Sequence, residues 1–180
     1  RLAPDQPTVP APLRGRPVAG SSLVWTGDPT AAQSYFRRAF SLCHSESTRS
    51  QTVSFLDLQT MADSAFPHGR RYYTKSGYFR YLENDTIDLF LDALATIPSP
   101  ETQIELTYLD GAAGQVVADE TAFGDRGAPF ITNLLANWSD SGADDLHVTW
   151  IRSIFEKLRP AMTSGVYVNF LENEERERIH

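Results

Sequence analysis

The chain is short of cysteine, short of positive charge and without a long apolar run, and each shortage closes off a class of protein. Cys43 is the one cysteine, so no internal disulfide and no cysteine-based metal site is available, and a helix-end packing role is expected of it. Sixteen Lys+Arg stand against 23 Asp+Glu, a formal charge of -7. That balance opposes a phosphate backbone or an anionic bilayer, so neither nucleic acid nor membrane is an expected partner. No apolar stretch approaches the roughly 18 residues of a membrane span, and the polar, proline-dotted start has no signal-peptide core. The chain reads as soluble, with cytoplasmic and secreted locations both open. GxGxxG and Walker loops, CxxC pairs, HExxH and GxSxG are all missing, which leaves no self-contained catalytic motif. The histidines, His44, His68, His147 and His180, lie in separate contexts, and no metal is expected.

What is present suits one compact domain: 180 residues, 41% of them hydrophobic and 11% aromatic, enough to bury roughly 70% of the unfolded surface without staples. The first residue is Arg, and five prolines fall in the first seventeen positions. Residues 1–17 therefore read as an extended linker or wrapping edge segment. Residues 18–171 read as the domain, and 172–180 as the charged start of a continuation, so a longer parent protein is expected.

Periodicity then sets out the elements. Val18–Thr26 is β-rich, and Asp28-Pro29 opens a helix whose Ala32, Tyr35, Phe36, Ala39 and Phe40 form an apolar stripe for a sheet. A short helix covers Phe55–Ala62, and Arg71–Phe79 alternates as a strand, with Tyr73 and Lys75 on one face and Tyr72, Thr74, Ser76 and Tyr78 on the other. Asn84 or Asp85 caps the next helix, which stops at Pro98. Gln103–Leu109 turns at Asp110-Gly111 into a return strand, Gln115–Ala118. Phe130–Trp138 is a long strand with Asn133 and Asn137 on one face, a strong amphipathic helix runs to Leu158, and Val166–Phe170 is a last strand. The fold class is α+β, an antiparallel sheet with helices covering one face and the other left for a partner.

Four segments in order resemble the substrate domain of the berberine-bridge-enzyme-like FAD-linked oxidases, which have the vanillyl-alcohol-oxidase fold. They are PHGRRYYTKSGY (Pro67–Tyr78), GAAGQVVADETAFGDR (Gly111–Arg126), the strand ending in Trp138, and the helix leading into YVNF (Tyr167–Phe170). The resemblance implies an oxidoreductase that moves hydride from a small alcohol, sugar or secondary metabolite to FAD and then to oxygen. It also implies that FAD is bound mainly by a separate domain docked on the helix-free face, without which this piece is expected to be inactive. Self-association through that uncovered face is expected of the isolated piece.

The carry-over of residues is uneven. Plant members keep a carboxylate as general base five positions before the strand's Trp; here the position is Asn133, an amide that takes no proton at neutral pH. Either Asn133 orients the substrate and a tyrosine deprotonates it, with Tyr167 the candidate, or the chain is not part of an active oxidase. The His that plant members keep after Tyr-Val-Asn is Phe170. Alternation allows Tyr73, Lys75, Asn133, Tyr167 and Asn169 to line one cavity, with Tyr73, Lys75, Asn133 and Asn169 as substrate contacts. Each has a blander alternative: packing for the tyrosines, a solvated strand position for Lys75, backbone support for Asn169. Arg126 reads as a structural salt-bridge residue. From a different class of function, a non-catalytic α+β ligand-binding or interaction module without a redox cofactor stays open.

Overall fold

The computed structural model describes residues 1–42, 44–117, 120–121, 123, 126–165, 167 and 169. It is α+β: α1 is Pro29–Phe40, α2 Phe55–Thr60, β1 Arg71–Phe79, α3 Asn84–Ala95, β2 Gln103–Tyr108, β3 Phe130–Trp138 and α4 Asp144–Leu158. The strands form one antiparallel sheet in the order β1-β3-β2, so the last described strand in sequence takes the middle place. On one side β3 pairs Leu134 with Lys75 and Asn133 with Ser76; on the other it pairs Leu134 with Ile104 and Asn133 with Glu105.

Paired residues share a face of the sheet, and that rule sorts every side chain. Leu134, Ala136 and Trp138 point to α4 and build the core with Phe79, Ala93, Ile151, Ile154, Phe155 and Leu158. Leu134, Ile151 and Leu158 are completely buried, each contributing about 1.5–3 kcal/mol. Asn133, Leu135 and Asn137 alternate onto the far face.

Local chemistry explains the helix starts. The Asp28 carboxylate accepts from the Thr30 amide at 2.9 Å with Pro29 at the first helical position, and Ser54 caps α2 by accepting from the Asp57 amide at 3.1 Å. Asp144 and Asp145 place negative charge in the first turn of α4. The cap of α3 is Glu83, one residue earlier than expected and without a side-chain hydrogen bond; Asn84 and Asp85 are already helical.

Several expectations are corrected. Residues 18–26 form no strand: Leu23, Val24 and Trp25 are exposed, and β-propensity without a neighbour to pack against does not make one. Residues 1–18 close into a loop rather than extending, with a Leu2–Pro17 bridge, the Ala3 amide donating to Arg16 O at 2.9 Å, and Gly15 at φ 70° to make the turn. Of the α1 stripe only Ala32 is buried, and Tyr35 stacks at 4.7 Å on Trp25 instead of meeting a sheet. Residues 115–117 are turn and bend, with the Gln115 amide bonded to Gly111 O, and the partner of β2 is β3. Ala118, Cys43, residues 172–180 and, from the expected last strand, Val166, Val168 and Phe170 lie outside the described residues. Among the described residues no helix is long and apolar enough to cross a membrane.

Truncating the middle of the core, Leu134→Ala, should lower stability by about 2–5 kcal/mol. Leu91→Ala, at a position 58% exposed, should cost about 0.5 kcal/mol. Urea denaturation of the two variants measures the contrast, and similar losses would show that Leu134 is not central.

Candidate functional site

The far face carries polar side chains from all three strands, with Ile131 and Leu135 of β3 among them. Thr74 Oγ1 donates to Asn133 Oδ1 at 2.5 Å, with Leu134 O 3.1 Å away. That donor fixes the amide's orientation, and Asn133 Nδ2 in turn donates to Glu105 Oε2 at 3.3 Å. Gln103 Nε2 donates to the other carboxylate oxygen, Oε1, at 2.7 Å. The result is a chain of hydrogen bonds from β1 through β3 to β2. Asn133 is 4% exposed, so its amide is desolvated and holds its neighbours firmly, whereas the Glu105 carboxylate is open to solvent. The far-face positions of the three strands, Tyr72, Thr74, Ser76, Tyr78, Ile131, Asn133, Leu135, Asn137, Gln103, Glu105 and Thr107, include no lysine or arginine.

Tyr73 and Lys75 are elsewhere. Register puts them in line with Ala136 and Leu134, under α4. Tyr73 Oη accepts from Arg152 Nε at 3.0 Å, with the guanidinium 5.5 Å over its ring. Lys75, 8% exposed, sets its ammonium 5.2 Å above the Phe155 ring, its aliphatic stem lying along the core. Asn169 Nδ2 donates to Tyr167 Oη at 2.8 Å, and Phe123 lies 5.6 Å from the Tyr167 ring. Arg126 bonds Ala113 O and Thr121 Oγ1 and sits 4.9 Å over Phe123, so it ties the loop through neutral acceptors and a ring. Tyr73 and Lys75 therefore do not share a face of the sheet with Asn133. Alternation sorts faces within a strand, but matching the faces of two strands requires their register. Thr74, Gln103 and Glu105 were missed; the signal for them was the polar alternation shared by all three strands.

On the α4 side a second polar cluster locks the fold. Arg71 grips Asp144 with two bonds, Nε to Oδ1 at 2.5 Å and Nη2 to Oδ2 at 2.6 Å, and Trp138 Nε1 donates to Asp144 Oδ1 at 2.7 Å. His147, 4% exposed, stacks on Trp138 at 4.7 Å, and its Nδ1 lies 3.4 Å from Thr102 Oγ1. The Arg71 hydrogen bonds, then the indole, hold the Asp144 carboxyl below the usual carboxylate range. Burial pushes the His147 imidazole below its ordinary value, opposed by the carboxylates of Glu101 and Asp144.

Among the described residues no group of three metal ligands gathers. Nor does a glycine-rich turn open a helix from a strand end, the geometry that cradles dinucleotide phosphates. On the far face Asn137, 2% exposed, spends its Nδ2 on Glu101 O at 3.2 Å and leaves Oδ1 buried without a donor among the described residues, an acceptor a hydroxyl or N–H could meet.

No protein-family model matches the chain. Its fold is that of the berberine-bridge-enzyme-like proteins: BBE-like 28 from Arabidopsis thaliana superposes with a TM-score of 0.67 at 19% identity, over 83% of this chain and 35% of that one. GilR, an oxidoreductase that catalyses the terminal step of gilvocarcin biosynthesis, superposes with a TM-score of 0.66 at 18% identity, over 81% and 33%. In sequence, the FAD-linked oxidoreductase YgaK of Bacillus subtilis is 30% identical over 128 residues, 70% of this chain and 28% of that protein. The chain spans about a third of the length of these proteins. The chain thus has the fold of the berberine-bridge-enzyme-like proteins and is similar in sequence to FAD-linked oxidoreductases.

A buried imidazole kept neutral makes stability depend on pH with a definite sign. The unfolded ring takes a proton near pH 6.5 and the folded ring resists it, so stability is complete above that value and declines as pH falls below it. Asp144 adds a further loss only at lower pH, within and below the carboxylate range. Urea midpoints should be flat from pH 8 to about 6.5 and fall toward pH 5, and His147→Gln should flatten that fall. An unchanged slope in the variant would assign the titration to another group.

Proposed function

We propose that this chain is the substrate-binding part of an FAD-dependent oxidoreductase acting on a small alcohol, sugar or secondary metabolite. Electrons pass to FAD and then to oxygen, and a separate domain of the same protein binds FAD and docks on the far face. The observation that carries this reading is the hydrogen-bonded row Thr74, Asn133, Glu105 and Gln103 across three strands, on a fold shared with FAD-linked oxidoreductases. FAD, when bound, supplies the hydride acceptor. The residues of this chain bind and orient: the far-face amides and hydroxyls offer the donors and acceptors that hydroxyl groups match. The lack of cations among the far-face strand positions disfavours a phosphate or carboxylate substrate. Tyr73 and Lys75, packed under α4, then brace the sheet.

The test is the visible spectrum of the full-length protein, followed by anaerobic addition of alcohols, sugars and phenols. Flavin bands that bleach are expected, and Asn133→Ala, which removes the N–H that holds Glu105 in the row, should lower kcat/KM about tenfold, the worth of one to two hydrogen bonds, at unchanged flavin content. A colourless protein that takes up no added FAD would overturn the proposal and leave a non-catalytic binding sheet.

A further inference from the structure

Oxidising an alcohol releases two particles: the hydride leaves carbon with its electron pair, and the hydroxyl proton needs an acceptor within hydrogen-bond reach. From the far-face geometry, and resting on the oxidoreductase reading above, we infer that Glu105 is that acceptor, a catalytic residue positioned by Asn133 and Gln103. Three observations carry this.

The first is inventory. Among the far-face positions of the three strands Glu105 is the sole carboxylate, and Asn133, Asn137 and Gln103 are amides that do not accept protons at neutral pH. The second is presentation. Each carboxylate oxygen of Glu105 receives one N–H, Oε2 from Asn133 and Oε1 from Gln103. Four lone-pair sites less two leave room for a substrate hydroxyl, and the side chain is open to it. The third is support. Thr132 Oγ1 donates to the Glu105 carbonyl at 3.0 Å, and Asn133 is 4% exposed and pinned by Thr74. The carboxylate is thus held from both its backbone and its head, as a catalytic group needs to be.

The step balances. The substrate O–H bond breaks and its proton goes to a Glu105 oxygen; the carbinol C–H bond breaks and its hydrogen leaves with both electrons to FAD; the C=O bond forms. The substrate is oxidised by two electrons, FAD is reduced, and oxygen is the terminal oxidant. The proton on Glu105 is released to solvent before the next turnover.

The experiment uses the full-length flavin-loaded protein as wild type, Glu105→Gln, Glu105→Asp and Tyr167→Phe, with equal flavin content and thermal midpoint verified first. With a compound that bleaches the wild type, Glu105→Gln should lower kcat/KM at least a hundredfold and abolish the acid limb of its pH profile, while Glu105→Asp restores part of the rate. Sulfite, which adds to the reactive face of flavins, supplies a readout that needs no turnover: removal of a facing negative charge should tighten its binding about tenfold or more in Glu105→Gln, seen as loss of visible absorbance. An unchanged pH profile with unchanged sulfite affinity in Glu105→Gln overturns the inference. So does a Tyr167→Phe variant that alone loses the acid limb, which returns proton transfer to Tyr167. If no compound bleaches the wild type, the sulfite arm decides whether Glu105 faces the flavin. A protein that takes up no FAD overturns the functional reading itself, a result separate from any behaviour of Glu105.

Discussion

β3 is hydrogen-bonded along both edges, and its register leaves the rest of the chain little choice. A slip of one residue would carry Leu134, Ala136 and Trp138 to the far face and bring Asn133 and Asn137 under α4, where neither amide has a partner. Burying even one such amide unbonded costs about 1–3 kcal/mol, comparable to what each large core side chain contributes. The apolar face is therefore held in place partly by the polar one. The same register that packs Leu134 against α4 sets Asn133 between Thr74 and Glu105.

The two faces divide their charges. Cations Arg71, Lys75 and Arg152 gather on the α4 side, where they meet Asp144, the Phe155 ring and Tyr73. Exposed pairs of this kind contribute little singly, but Arg71, Asp144, Trp138 and His147 bind the start of β1, the end of β3 and the first turns of α4 into one knot. The far face keeps a single carboxylate among amides and hydroxyls. Among the described residues this separation gives that carboxylate no guanidinium partner, whereas Asp144, gripped by Arg71, is occupied by its structural task.

Much of this was legible in the residues. Arg71–Phe79 and Phe130–Trp138 emerge at their full lengths from alternation, and α4 from the three-and-four spacing of Ile151, Ile154, Phe155 and Leu158. Those signals are local, and so is the chemistry behind them. The grouping of Tyr73 and Lys75 with Asn133 failed for a non-local reason: a polar tip on a long side chain does not say which face its stem occupies. Lys75 sits on the core face because four methylenes can lie along Phe155 while the ammonium rests over the ring. Likewise Leu23, Val24 and Trp25 read as a strand from composition, yet they are exposed and, among the described residues, pair with none of the three strands. Nothing local singles out Glu105 within its strand; it is the pairing of β2 with β3 that puts it opposite Asn133.

The order β1-β3-β2 also constrains how the chain assembles. β1 and β2 come first from the ribosome, yet the sheet separates them by the strand that emerges later. Until residues 130–138 arrive, each carries an open row of amides and carbonyls with no native neighbour, so pairing between them would be a non-native detour. Closure is long-range by construction, with Arg71 meeting Trp138, 67 positions further along the chain, a loop whose entropy is lost before any contact repays it. Folding of this chain is accordingly gated by the docking of its central strand, and newly made protein caught before that event offers two sticky edges to its neighbours.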